Sequence, residues 1–259
     1  MNFELTSERQ MLQDTLRRFL SDNYSVQTRN AILESESGMS ADIWGQLSEL
    51  GVLGALFSED DGGFGGTGFD ISVVFEELGR AGVVEPILET CILGGGLVAV
   101  LGNETQKSLL ESVIGGEIRL ALAHSEPRSR YDLSRVETSV TDGKVSGHKS
   151  MVLGAPNADY MIISARESGE VDAQDGISLF LVPVSDLDLR STPVMGGGMA
   201  ADIYLDNLTV TDGMRLGPKG GAFPHLETVF AAAITALCAQ TLGGMETATK
   251  LTVEYLQTR

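Results

Sequence analysis

Basic side chains are scarce in this sequence: 18 lysines and arginines stand against 36 aspartates and glutamates, for a formal net charge of −18. A field of that sign repels polyanions, so DNA, RNA and anionic membrane surfaces are disfavoured partners. Cysteine is rarer still. Cys91 and Cys238 lie in apolar surroundings, and with three scattered histidines no CxxC or HExxH spacing occurs, so neither a metal site nor a disulfide is expected. No apolar run reaches the roughly 18 residues of a membrane span, and Met1 to Arg9 lacks the basic and apolar regions of a signal peptide. A cytoplasmic location is the expectation. What remains is a composition of 42% hydrophobic and 21% charged residues, which fits a globular protein, and 259 residues, enough for more than one core.

The texture of the chain changes twice. Residues 1–117 read as an N-terminal α-helical domain, beginning at a capping box over Ser7-Glu8-Arg9-Gln10. Leu12, Leu16, Phe19 and Leu20 form an apolar stripe, as do Ile43, Trp44, Leu47 and Leu50 ahead of Gly51, a C-terminal cap. Further helices are expected over 70–78 with Gly79 behind, over 86–100 and over 104–114. Residues 118–221 read as a middle β domain. Runs rich in Val, Ile, Leu and Thr at 118–124, 135–141, 159–165, 176–183 and 202–210 alternate with turn residues, as in a small antiparallel sheet or barrel. Helical period returns after Pro224 and continues to Arg259, so residues 222–259 read as the first helix of a truncated C-terminal helical domain.

Gly63-Phe64-Gly65-Gly66-Thr67-Gly68 satisfies the GxGxxG pattern of dinucleotide folds. Ser58-Glu59-Asp60-Asp61 places three carboxylates ahead of it, where a pyrophosphate would be repelled. A glycine-rich turn between two helices is the better reading.

Four separated segments carry a resemblance that covers nearly the whole chain. They are Phe3-Glu4-Leu5-Thr6; Leu50 to Gly54 with Glu76-Glu77-Leu78-Gly79-Arg80; Ser125-Glu126-Pro127 with Asp132, then Gly147-His148-Lys149 and Ile203 to Val210; and Tyr255 to Arg259. Together they resemble the acyl-CoA dehydrogenases, most closely the small subunits of the pimeloyl-CoA type. The resemblance implies an α+β fold: an N-terminal helical domain, a middle antiparallel β domain and the start of a C-terminal helical bundle. It implies FAD as cofactor, an acyl-CoA thioester as substrate, an electron-transfer flavoprotein as electron acceptor, and a homo- or hetero-oligomer with a large subunit. A chain ending at Arg259 is expected to be inactive by itself.

Carried over residue by residue, the resemblance places Leu122, His124 and Ser125 against the flavin ring, with Glu126-Pro127 shaping the turn. Met151 and Leu153 stand where the family has an aromatic ring and a hydroxyl beside the flavin, and Leu153 has no hydrogen to donate. Arg130, Tyr131 and Asp132 occupy positions that contact pyrophosphate and CoA, and Arg130-Tyr131 replaces a small pair with two large side chains. Arg259 matches an arginine that reaches the FAD pyrophosphate of a neighbouring subunit, a role suited to a guanidinium fork. Glu227 matches the position of the catalytic base in a minority of the family; in most members the base lies beyond residue 259. Three readings stay open: a flavin-dependent dehydrogenase subunit; a non-catalytic partner subunit that binds no FAD of its own; or an oxidase or flavin monooxygenase on the same fold, in which oxygen reoxidises the cofactor, although no residue here selects the last.

Overall fold

A computed structural model describes residues 4–259; Phe3, quoted above, lies outside the described residues. The chain forms two compact units, one of residues 4–85 with 232–259 and one of residues 86–231.

In the first unit, helix α1 (Ser7–Asn23) starts one residue earlier than the capping box implies. Thr6 has the extended backbone of an N-cap and accepts from the Arg9 amide at 3.3 Å, while the Gln10 side chain turns to Gln13 and Asp14. Helices α2 (Val26–Glu34) and α3 (Ala41–Glu49) follow, and Gly51 at φ +77° turns the chain after α3 as expected. The glycine pattern at 63–68 is a packed turn. A Cβ on Gly63 would stand 2.4 Å from the Gly54 carbonyl oxygen, and one on Gly65 would stand 2.2 Å from that of Ala55. These glycines are required by the backbone of residues 54–57 packed against them.

Helix α4 (Gly68–Ala81) is capped by a box between Thr67 and Asp70, and Arg9 bonds Asp70 at 2.7 Å. It runs through Gly79, the expected stop, and ends at Gly82, whose φ is +71°. The reason lies in the last helix, α8 (Phe223–Thr258), whose later turns cross α4 backbone to backbone. A Cβ on Gly79 would meet the Gln240 carbonyl oxygen at 1.9 Å, and one on Gly243 would meet that of Glu76 at 1.9 Å. Arg80 holds the crossing from the side, bonding Glu76, the buried Glu77 and Glu246, and Thr247 donates to the Arg80 carbonyl.

Helix α8 keeps to the expectation of no unbroken apolar run, yet its average hydropathy is high. It contains an 18-residue window of mean hydropathy 1.5, long and apolar enough by length and composition to cross a membrane, a test that the core helix of a soluble protein passes as well. Alanines with Val229, Phe230, Ile234, Leu237 and Leu242 raise the average, while polar residues between them keep the apolar run from being continuous. Ile234, Leu237, Leu242, Met245, Leu251 and Leu256 of this helix are exposed.

The second unit begins with a π-helical turn (Leu88–Gly95), then α5 (Gly96–Leu101), α6 (Glu104–Lys107) and α7 (Leu109–Ile114). One continuous helix was expected over 86–100. Instead the wider turn brings Gly94 against Leu120, where a Cβ would stand 2.5 Å from the Leu120 Cβ, and the Thr90 hydroxyl donates to the Leu120 carbonyl at 3.2 Å.

Eight strands form one sheet: β1 (Leu120–Ala123), β2 (Ser139–Thr141), β3 (Lys144–Leu153), β4 (Tyr160–Arg166), β5 (Ile177–Pro183), β6 (Asp188–Pro193), β7 (Met199–Thr209) and β8 (Arg215–Leu216). The order is β6-β7-β3-β2-β4-β5-β8, with β1 added to β4. Most pairs are antiparallel, but β1 and β2 each pair with β4 in parallel. The ten-residue β3, the edge strand β6 and the two-residue β8 are absent from the sequence expectation. Gly147-His148-Lys149-Ser150 breaks the alternation in β3, and β6 has little buried surface. Met161, Ile163, Phe180, Val182 and Ile203 fill the core of this sheet.

Candidate functional site

Strand β1 is apolar and fully buried over Leu120–Ala123, and its end holds the residues singled out from sequence. His124 and Glu126 are buried, while Ser125 between them is exposed. The Ser125 carbonyl accepts from the Ser150 amide at 2.9 Å, which ties this strand end to β3. On β3, Met151 and Leu153 are exposed on either side of the buried Val152. Ser125, Met151 and Leu153 thus belong to neighbouring exposed positions of two linked segments.

A β-bulge sets these positions. Lys149 pairs with Ile203 and Val152 with Ala201, so Ser150 and Met151 together oppose Asp202. Met151 has φ +51°, and its amide donates to the Asp202 carboxylate at 2.9 Å. Nearby, the His148 ring stacks on Tyr204 at 4.3 Å, and the Arg190 guanidinium lies 4.3 Å from the centre of the Tyr204 ring.

Beneath the strand end lies a buried polar cluster. Lys149 is wholly buried, and its ammonium donates to Glu126 Oε1 at 2.6 Å, to Ser164 Oγ at 3.0 Å and to the His124 carbonyl at 3.4 Å. All three ammonium hydrogens have acceptors. Glu126 also accepts from the backbone amides of Glu137 at 2.6 Å and Thr138 at 3.0 Å. Burial alone would raise the Glu126 carboxyl, but the Lys149 charge and these donors outweigh it and hold the group below its usual range. Burial pulls Lys149 down to about 8, against the opposing pull of Glu126. Both groups are therefore charged at neutral pH.

His124 Nδ1 lies 2.9 Å from Ser164 Oγ, its ring is tilted against Phe230 at 5.7 Å, and Nε2 has no hydrogen-bond partner. Burial lowers its pKa to about 4, helped by the Lys149 charge and opposed by Glu126 and the Leu133 backbone, so the ring is neutral at pH 7. A histidine whose folded pKa lies below its unfolded value adds stability above the unfolded pKa. That stability is lost as pH falls towards the folded value. Between pH 6.5 and 4 the chain is expected to lose about 3 kcal/mol through this group. Urea titrations at stepped pH check this: His124→Gln should flatten the slope in that window, and equal slopes would refute it.

The other predicted residues lie apart from this cluster. Arg130, Tyr131 and Asp132 form the exposed tip of the loop after Glu126; Tyr131 is 100% exposed and Arg130 has φ +50°. The Asp132 carboxylate accepts from the Ser134 amide and hydroxyl. Glu227 is exposed one turn before Phe230, whose ring reaches His124. Leu122 is buried in β1 opposite Ile162. Arg259, in the other compact unit, is exposed with its guanidinium over the Tyr255 ring at 5.1 Å.

Sequence reading missed Lys149, Ser164 and Asp202 as site-building residues and gave Glu126 only a turn-forming role. One signal was available for the lysine. Val145, Gly147 and Lys149 stand at alternate positions, so an inward Val145 puts Lys149 inside as well. Among the described residues no cluster of three or more metal-ligating side chains occurs.

The exposed apolar pair Met151 and Leu153, on the segment bonded to the Ser125 backbone, fits a planar group with one polar edge, as the flavin of FAD presents. Leu153 provides no side-chain donor, and the Met151 amide is already bonded to Asp202.

Comparison with known proteins adds an independent line. The profile "Acyl-CoA dehydrogenase, N-terminal domain" matches residues 6–117, and "Acyl-CoA dehydrogenase, middle domain" matches residues 121–208. (2S)-Methylsuccinyl-CoA dehydrogenase of Cereibacter sphaeroides is 28% identical over 275 residues, covering 98% of this chain and 50% of that protein. Benzylmalonyl-CoA dehydrogenase of Aromatoleum aromaticum is 26% identical over 268 residues, covering 98% of this chain and 70% of that protein. The solved "Tcur3481-Tcur3483 steroid ACAD G363A variant" superposes with a TM-score of 0.83 at 29% identity, over 97% of this chain and 67% of that one. The chain thus spans about half the length of the first of these relatives. With an N-terminal helical domain, a middle β domain and the start of a C-terminal helix, and with both domain profiles matched in order, the chain belongs to the acyl-CoA dehydrogenase family.

Proposed function

We propose that this chain is a subunit of a flavin-dependent acyl-CoA dehydrogenase that forms an α,β-double bond in a dicarboxylyl or other bulky acyl-CoA. The observation that carries the reading is the backbone bond that ties exposed Ser125 to the β3 segment bearing exposed Met151 and Leu153, all within the part matched by the middle-domain profile. Two relatives are named for methylsuccinyl-CoA and benzylmalonyl-CoA, both thioesters of diacids, which favours a dicarboxylyl substrate. The likeness to pimeloyl-type small subunits points the same way, and the steroid ACAD relative, named for the pair Tcur3481-Tcur3483, supports assembly with a related large subunit.

FAD, when bound, supplies the acceptor for the hydride that leaves the β-carbon. The protein's part is positioning and proton transfer. Backbone groups of Leu122 to Ser125 and the Ser125 hydroxyl would hold the polar edge of the cofactor, while Met151 and Leu153 cover an apolar face and exclude water. Arg130 and Tyr131 would engage the phosphates and adenine of CoA through a guanidinium and a ring, with Asp132 shaping the loop. Arg259 would reach the pyrophosphate of FAD on a neighbouring subunit. Glu227 is the candidate base for the α-proton, and stabilisation of the thioester oxygen acidifies that carbon enough for a carboxylate to act. An electron-transfer flavoprotein would receive the electrons.

The missing donor at Leu153 favours a second reading, a partner subunit that completes a site without FAD of its own. Purification of the chain alone and with its large-subunit partner, followed by flavin absorption and turnover with an electron-transfer flavoprotein, decides between them. A yellow protein from this chain alone removes the partner-only reading. A colourless chain in a yellow, active complex removes the first.

A further inference from the structure

Two atoms of the buried cluster bear directly on the candidate site: the His124 carbonyl, one residue before Ser125, and the Glu126 side chain, one residue after it. Lys149 holds both, at 3.4 Å and 2.6 Å. Glu126 is fixed again through Glu137 and Thr138, and its amide donates to Ser129 Oγ at 3.0 Å. Ser125 is therefore an exposed residue clamped on both sides from below. Hydrogen-bond direction goes further. Lys149 has no acceptor capacity, so Ser164 Oγ must accept from it. The Ser164 hydroxyl hydrogen is then left for His124 Nδ1 at 2.9 Å or the more distant Ala123 carbonyl at 3.4 Å. The shorter bond makes Nδ1 an acceptor and puts the ring proton on Nε2, a buried donor near the Leu133 backbone that meets no acceptor at good hydrogen-bond geometry.

We propose that Lys149 is a positioning residue: its ammonium fixes the Ser125 strand end for ligand binding and, through Ser164, holds His124 in the Nε2–H tautomer. The cofactor-facing half of this inference rests on the function proposed above; the tautomer and strand-end half stands on this chain alone. Removing one partner of a buried pair leaves an uncompensated charge and destabilises strongly, whereas replacing both by neutral groups of similar shape restores stability. The double variant Glu126→Gln/Lys149→Met therefore separates positioning from mere folding.

Four measurements on the wild type, Lys149→Met and the double variant test the proposal. In the wild type, ¹⁵N NMR should show His124 protonated at Nε2 at pH 7. In the double variant, with Ser164 Oγ released from Lys149, the Nδ1–H form should appear while the melting temperature returns towards wild type. Exchange of the Ser150 amide, which donates to the Ser125 carbonyl at 2.9 Å, should accelerate in the double variant. FAD titration should show affinity weaker by about tenfold or more, the scale on which small misplacements act. A double variant with restored stability, wild-type tautomer and a protected Ser150 amide overturns the proposal. Wild-type protein that takes up no FAD removes the flavin reading instead, and the NMR and exchange results still decide the role of Lys149.

Discussion

Arg166→Met is expected to lower the unfolding free energy by about 4 kcal/mol. Arg166 ends β4 and is buried, and among the described contacts its guanidinium is met by carbonyl oxygens alone. Nε donates to Val136, Nη1 to Ser168 and Asp175, and Nη2 to Ser134, Val171 and Ala173. Methionine matches much of the volume but donates nothing, so several carbonyls lose their partner at about 1–3 kcal/mol each where no water reaches them. Water entering the outer part of the loops reduces the sum. The same six bonds hold residues 134–136, which follow the Arg130-Tyr131 tip, against residues 168–175. Hydrogen exchange at the Val136 amide, which donates to Val171 at 2.9 Å, should rise together with the loss seen by denaturant titration. A loss below about 1 kcal/mol would mean that the loops hold themselves.

The crossing of α4 and α8 is expected to be equally intolerant. Gly79→Ala and Gly243→Ala should each cost about 3 kcal/mol, because the nearest atoms are backbone and cannot rotate away. Added methyl groups 1.9 Å from the Gln240 and Glu76 carbonyl oxygens force the helices apart. That separation also lengthens the Arg80 to Glu246 contact and the Thr247 bond to the Arg80 carbonyl. Since one displacement relieves both clashes, the double variant should cost clearly less than the two single losses together. Additive losses would show that the two contacts are independent. A control at Gly45, where no atom stands within 4 Å of an added Cβ, should be neutral or slightly stabilising.

Periodicity made the helices and most strands legible, because each rests on a local apolar stripe. Their ends were less so. The stop expected at Gly79 depends on whether a partner backbone needs that glycine, and the partner, α8, is about 160 residues away in sequence. Strand β3 was hidden because its polar centre, His148 to Ser150, is inward or stacked for reasons outside the strand. The site divides the same way. Ser125-Glu126-Pro127 and the flanking residues were readable as a family signature, and Leu153 as a departure from it. The cluster beneath could not be read, since residues 124, 126, 149 and 164 meet only when β1, β3 and β4 come together, and a lysine in a string of polar residues looks like surface.

The bulge opposite Asp202 has a further bearing on how such sequences vary in length. Two residues share one place in the ladder there, so Lys149 and Val152 both face inward although three positions separate them. Loss of either Ser150 or Met151 would shorten the chain by one and leave Val152 inside and Leu153 outside. Descendants of this gene can therefore lose one codon at this point without inverting the strand, a change that elsewhere in β3 would exchange its two faces.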